Sequence, residues 1–88
     1  MYSLEVRESV DRIFLKLAKK DPKKMQIIEK KIKHICEKPL HFKPLRVPMQ
    51  HLRRVHVHRS YVLTYSVNEK NKVVIIEDFD HHDKIYLS

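Results

Sequence analysis

Two stretches carry the side chains with chemistry in them. Arg53-Arg54-Val55-His56-Val57-His58 lies near the middle, and Asp80-His81-His82-Asp83-Lys84-Ile85-Tyr86 lies at the end. Apolar runs, Tyr61-Val62-Leu63-Thr64-Tyr65-Ser66-Val67 and Val73-Val74-Ile75-Ile76, separate them. Arg and Lys neutralise phosphate, His moves a proton near neutral pH, and Tyr stacks on a base. That set suits chemistry on RNA.

Two other uses of the same residues must be weighed. His56, His58, His81, His82, Asp80 and Asp83 are all possible metal ligands. Their spacings match no zinc signature, and adjacent histidines on one strand point oppositely, so neither a metal nor a cofactor is expected. The terminal segment also reads as a polar surface end that docks Ile85 and Tyr86 on the core.

The elements that must position these residues follow from pattern. Tyr2, Leu4 and Val6 alternate with polar neighbours as in a short strand. Val10, Ile13, Phe14, Leu17 and Ala18 fall at helical spacing, with Ser9 as the expected N-cap. Asp21-Pro22 ends that helix and starts another, Asp21 capping and Pro22 at the first helical position. Met25, Ile28, Ile32, Ile35 and Cys36 form the second stripe, which Glu37-Lys38-Pro39 terminates. The segment Pro39 to Met49 reads as an extended loop. Strands are expected at 52–58, 60–67 and 72–79, with Asn68-Glu69-Lys70-Asn71 as a turn. The chain has no glycine, so positive-φ positions must fall to Asn, Asp or His, with Asn68 and Asn71 the natural candidates.

The expected fold is therefore α+β in the order β-α-α-β-β-β, a single domain over 1–88 with a helical hairpin packed on one face of an antiparallel sheet. Period two along the second strand puts Arg54, His56 and His58 on one face and Arg53, Val55 and Val57 on the other. The first face is either a working surface or a solvated one.

Charge points the same way. Nineteen Lys and Arg against 11 Asp and Glu give a formal +8 over 88 residues, with seven His in addition. Such an excess favours a polyanionic partner, nucleic acid or an acidic protein segment. The single cysteine, Cys36, suits a reducing compartment. With no transmembrane-length stretch and no secretory-type leader, the expected address is cytoplasmic, with no membrane partner.

The element order, Pro44-Leu45-Arg46 before the second strand, Arg54-Val55-His56-Val57 along it, Tyr61-Val62-Leu63-Thr64-Tyr65 on the third and Asp80-His81-His82-Asp83-Lys84-Ile85-Tyr86 at the end resemble the RelE/ParE toxin superfamily across nearly the whole chain. The resemblance implies a toxin neutralised by a RelB-like antitoxin. RelE-type members enter the ribosomal A site and cut mRNA without metal, the substrate's 2′-hydroxyl attacking the adjacent phosphate. ParE-type members share the fold and inhibit gyrase; that target, or an inactive RNA- or protein-binding member, is the alternative. For the nuclease, the resemblance implies Arg54, His56, His82 and Tyr86 as catalytic residues, with His56 where a Lys or Arg is usual, and Arg46 as a cation on the mRNA backbone; Arg53, Arg59, His81 and Lys84 are expected as further RNA contacts. His82 stands in place of a catalytic Arg, and Val62 stands where many members carry an Arg after the strand tyrosine. His58-Arg59-Ser60 lacks the usual turn glycine, and Arg59 is a possible source of the missing charge.

Overall fold

The structure, a computed structural model, describes residues 1–59 and 61–81. Strand β1 (Ser3–Val6) leads into helix α1 (Glu8–Lys20) and helix α2 (Pro22–Glu37). A long loop precedes strands β2 (Arg53–Val57), β3 (Tyr61–Asn68) and β4 (Val73–His81). The sheet order is β1-β4-β3-β2. β2, β3 and β4 form an antiparallel meander, whereas β1 pairs parallel to β4, so the sheet is mixed at one edge. The helical crossover between β1 and the meander makes that parallel edge possible.

The helices form where their stripes predict. Val10 and Phe14 of α1, and Met25, Ile28, Ile32, Ile35 and Cys36 of α2, are buried against Val55, Val57, Leu63, Tyr65, Val74, Ile76 and Phe79 of the sheet. Ile13 and Ala18, at the margin of the α1 stripe, stay exposed. Asp21 accepts from the Lys24 N–H at 3.1 Å and Pro22 occupies the first turn, as expected. Ser9, however, is not a cap. The Arg7 carbonyl already accepts from Val10 and Asp11 at 3.0 and 2.9 Å, so α1 begins directly off β1 and takes Ser9 into its first turn.

The turns also differ from expectation in one respect. His58 and Lys72 hold the positive-φ positions, at 58° and 56°. Asn68 stays on the strand, and its side chain accepts from the Asn71 N–H at 3.0 Å, which closes the turn through the side chain instead. Taking the left-handed conformation at the β2–β3 turn removes His58 from the strand face it was expected to share with His56.

The loop between α2 and β2 is stitched down. Tyr65, fully buried, donates from its hydroxyl to the Pro39 carbonyl. Arg53 Nη1 donates to the Phe42 carbonyl at 2.6 Å. Leu45 N–H donates to Leu52 at 2.9 Å, and Pro44 bridges to Arg53.

Candidate functional site

The face of the sheet away from the helices carries the polar residues. Arg54, Thr64 and Asp78 lie in register across β2, β3 and β4, and His56, Val62 and Asp80 form the next such row. Neighbouring strands are about 5 Å apart, so each row brings its three side chains within reach of one substrate group. Arg54 is half-buried and His56 exposed, flanking the buried Val55 on the opposite face. Period two thus sorts Arg54 and His56 as expected.

Val62 is fully buried although it lies outside the helix-side core. The position where an Arg is common in the resembled family is here an apolar floor between His56 and Asp80. Positive charge at this part of the face must come from neighbouring positions.

A β-bulge shapes the other end. Tyr65 pairs with Ile76 and Thr64 with Asp78, which leaves Glu77 as an extra residue in β4. Glu77 and Asp78 therefore both reach the open face, whereas consecutive residues of a regular strand would point apart. Glu77 is the hub of a small network. It accepts from Arg7 Nε at 2.9 Å and from the Ser66 hydroxyl at 2.6 Å. Burial opposes its charge, but the bonds from Arg7 and Ser66 and the nearby Arg7 charge outweigh that and hold its pKa below the usual carboxylate value. The reciprocal bond from Glu77 raises the pKa of Arg7.

The remaining predicted residues are dispersed. Arg46 is exposed on the loop, and its carbonyl accepts from Met49. Arg59 is exposed in the β2–β3 turn. Arg53 sits half-buried on the side opposite Arg54, and its guanidinium fastens the loop through Phe42. The backbone of His81 pairs with Tyr61, which itself pairs with Val57, so the ends of β2 and β4 share one end of the sheet. His82, Lys84 and Tyr86 lie outside the described residues. Among the described residues no group of three or more His, Cys, Asp or Glu could hold a metal ion. No described helix is long and apolar enough to cross a membrane.

Thr64, Glu77, Asp78 and Arg7 did not figure in the sequence reading. The bulge that gathers them is set by the pairing of β4 with β3. The one available signal was the break in period at Ile76-Glu77-Asp78-Phe79, two polar residues between two apolar ones.

Comparison with known proteins agrees with this architecture. Residues 1–86 match the family described as ParE toxin of type II toxin-antitoxin system, parDE. A Methanocaldococcus jannaschii protein named "Putative toxin RelE4" is 49% identical over 86 residues, covering 98% of this chain and 92% of that protein. Among solved structures, a mutant of the Escherichia coli toxin RelE in the free state superposes with a TM-score of 0.78 at 22% identity, covering 98% of this chain and 90% of that one. The toxin–antitoxin complex RelBE2 from Mycobacterium tuberculosis contains a chain that superposes with a TM-score of 0.73 at 23% identity, covering 92% and 98%.

Proposed function

The chain belongs to the RelE/ParE superfamily of type II toxins, and on that premise we propose that it is a ribosome-dependent, metal-independent mRNA endonuclease neutralised by a RelB-like antitoxin in the cytoplasm. The observation that carries this reading is the pairing of Arg54 and His56 on the exposed face of β2, at the end of the sheet where β4 also finishes. A cation and a proton carrier two residues apart on one face suit attack by a 2′-hydroxyl on the neighbouring phosphate. The reaction needs a base for the 2′ proton, positive charge on the pentavalent phosphate and a proton for the departing 5′ oxygen.

In this scheme Arg54 binds the scissile phosphate and stabilises its added charge. His56 takes or returns a proton. His82 and Tyr86 share the proton transfer and stack on the substrate, roles that rest on the family resemblance. Arg46 and Arg59, both exposed, extend positive charge along the RNA backbone, and His81 and Lys84 are further contacts. Arg53, held to the Phe42 carbonyl, shapes the loop that carries Arg46. The acidic or amphipathic antitoxin covers the Arg46 and Arg54 surface.

The second reading is gyrase inhibition without nuclease activity, favoured by the match to a ParE family. One experiment separates the two. Primer extension on ribosome-bound mRNA is run beside a gyrase supercoiling assay, with wild type, Arg54→Ala and His56→Ala. The nuclease reading expects ribosome-dependent cuts lost in both variants and unimpaired supercoiling. Absent cuts with inhibited supercoiling would replace it with the second.

A further inference from the structure

On the helix side of the sheet, α1 and the start of α2 meet the start of β3 and the end of β4 around a pocket of about 210 Å³. Ile13, Leu17, Tyr61 and Phe79 give it an apolar lining. Tyr61 stacks on Phe79, ring centroids 5.3 Å apart and 4° from parallel, and the buried Phe14 packs edge-on against Phe79 at 5.5 Å. That packing holds the floor in place. Lys16, Lys20 and Lys24 line the same pocket. Lys16 and Lys20 are one turn apart on α1 and so lie side by side, where like charges repel. The Lys24 ammonium lies 4.6 Å from the centre of the Tyr61 ring. Among the described residues none of the three forms a salt bridge, and Asp21, the acid nearest them in sequence, is committed to the Lys24 N–H as the cap of α2.

We propose that this pocket docks an acidic segment of a protein partner other than the antitoxin, one bulky apolar side chain filling the pocket and flanking carboxylates meeting the three lysines. The site does not depend on the nuclease reading, and Arg54 lies on the opposite face of the sheet. Charge complementarity selects an anionic partner. The apolar lining selects one that brings a greasy side chain with its charge, and the lysine stems extend that lining at the rim. Nucleic acid suits the pocket less well. Every cation between Ile13 and Lys33 is a lysine, and the arginine fork that grips a phosphate through two bonds is found elsewhere in the chain. Tyr61 is half-buried, with Phe79 against its ring and the Lys24 ammonium over it, so it is no open platform for stacking a base. A Phe or Leu side chain needs neither grip nor platform, only the apolar volume.

The test is fluorescence anisotropy with the full chain and a labelled peptide of Asp and Glu around one central Phe. Parallel probes are the same peptide with Ala for Phe, the peptide with Lys for every acid, and a single-stranded RNA of equal length. The Phe peptide is expected to bind and the Ala peptide to bind about tenfold more weakly, since only the first buries a large apolar side chain. Lys16→Glu with Lys20→Glu is expected to weaken the Phe peptide about tenfold or more, whereas Lys16→Arg with Lys20→Arg keeps the charge and is expected to keep the affinity. Both positions are exposed, so the melting curve should stay in place. Arg54→Ala is expected to leave the affinity as it is, and the toxin–antitoxin complex is expected to bind the Phe peptide as the free chain does. Equal affinity for the Phe and Ala peptides, or no effect of the charge reversal, would overturn the proposal. RNA binding that falls with the two lysines while no acidic peptide binds would overturn it in favour of a nucleic-acid contact. Loss of peptide binding in the complex would assign the pocket to the antitoxin and overturn it as well.

Discussion

The two faces of the sheet are built to opposite rules. Under the helices, Val55, Val57, Leu63, Tyr65, Val74 and Ile76 are nearly or fully excluded from water, and the one polar atom among their side chains, the Tyr65 hydroxyl, has its acceptor at Pro39. On the other face a buried hydroxyl has no partner among the described residues, two consecutive carboxylates line one cleft and a half-buried Arg flanks them. A face selected for stability alone would not keep such a group. The first face holds the fold together, and the second is the proposed working surface. Substitutions should therefore separate: on the helix side they lower stability, and on the open side they change activity or even raise stability.

The largest effect should come from the open face. His56→Ala removes the proposed proton carrier, and single-turnover cleavage of ribosome-bound mRNA should fall on the order of 10²–10⁴-fold. Because His56 is exposed, its loss should move the melting temperature by only a few degrees. A large drop in melting temperature with an unchanged rate would reverse the assignment of the faces. From the helix side, Leu63→Ala should cost about 2–5 kcal/mol, since Leu63 is fully buried in the core cluster. Urea unfolding measures it; a cost below about 1 kcal/mol would mean that the core does not close around β3.

These contrasts were unevenly legible in the sequence. The stripe from Met25 to Cys36 is wholly buried, and Asp21-Pro22 joins the helices as its chemistry requires. Alternation along β2 correctly parted Arg54 and His56 from Val55 and Val57. Ser9 misled because a capping residue matters only where the helix starts, and the start was fixed by Arg7, whose N–H donates to Ile76 of β4 at 3.1 Å. His58 misled because a glycine-free turn had to recruit a residue from the end of the strand. The gathering of Arg7, Thr64, Glu77 and Asp78 was marked only by the polar pair Glu77-Asp78 between Ile76 and Phe79. It depends on a one-residue bulge and on a loop folded back over the sheet, both decided by long-range pairing rather than local pattern.

A finer probe lies where the helix-side core meets the loop. Burial pushes the Tyr65 hydroxyl from the ordinary 10.0 to about 12, with the Arg53 charge pulling slightly the other way. Tyr65→Phe leaves the Pro39 carbonyl without its donor and should cost about 1–2 kcal/mol near neutral pH. Because the folded-state pKa is raised, this stabilisation is fully present below the unfolded value of 10.0 and is lost as pH rises through about 12. The gap between wild type and Tyr65→Phe should therefore close across that alkaline window. A gap that stayed constant would show that the hydroxyl does not need to remain protonated in the fold.

The smallest expected change has the opposite sign. Thr64 and Val have the same shape, and Thr64 Oγ1 has no partner to lose among the described residues. Thr64→Val should therefore stabilise the ligand-free protein, by about 1 kcal/mol, because it removes an unsatisfied buried hydroxyl. The same substitution on the helix side, Val55→Thr, should destabilise by a similar or larger amount, since it places a hydroxyl in an apolar core. Chemical unfolding of the two variants with wild type, all without ligand, compares the faces directly. Opposite signs would mean that Thr64 is retained at a cost to folding, which is the mark of a residue kept for what it binds. If Thr64→Val were as destabilising as Val55→Thr, the hydroxyl would have to be satisfied in the resting protein, and the open face would be a second core rather than a working surface.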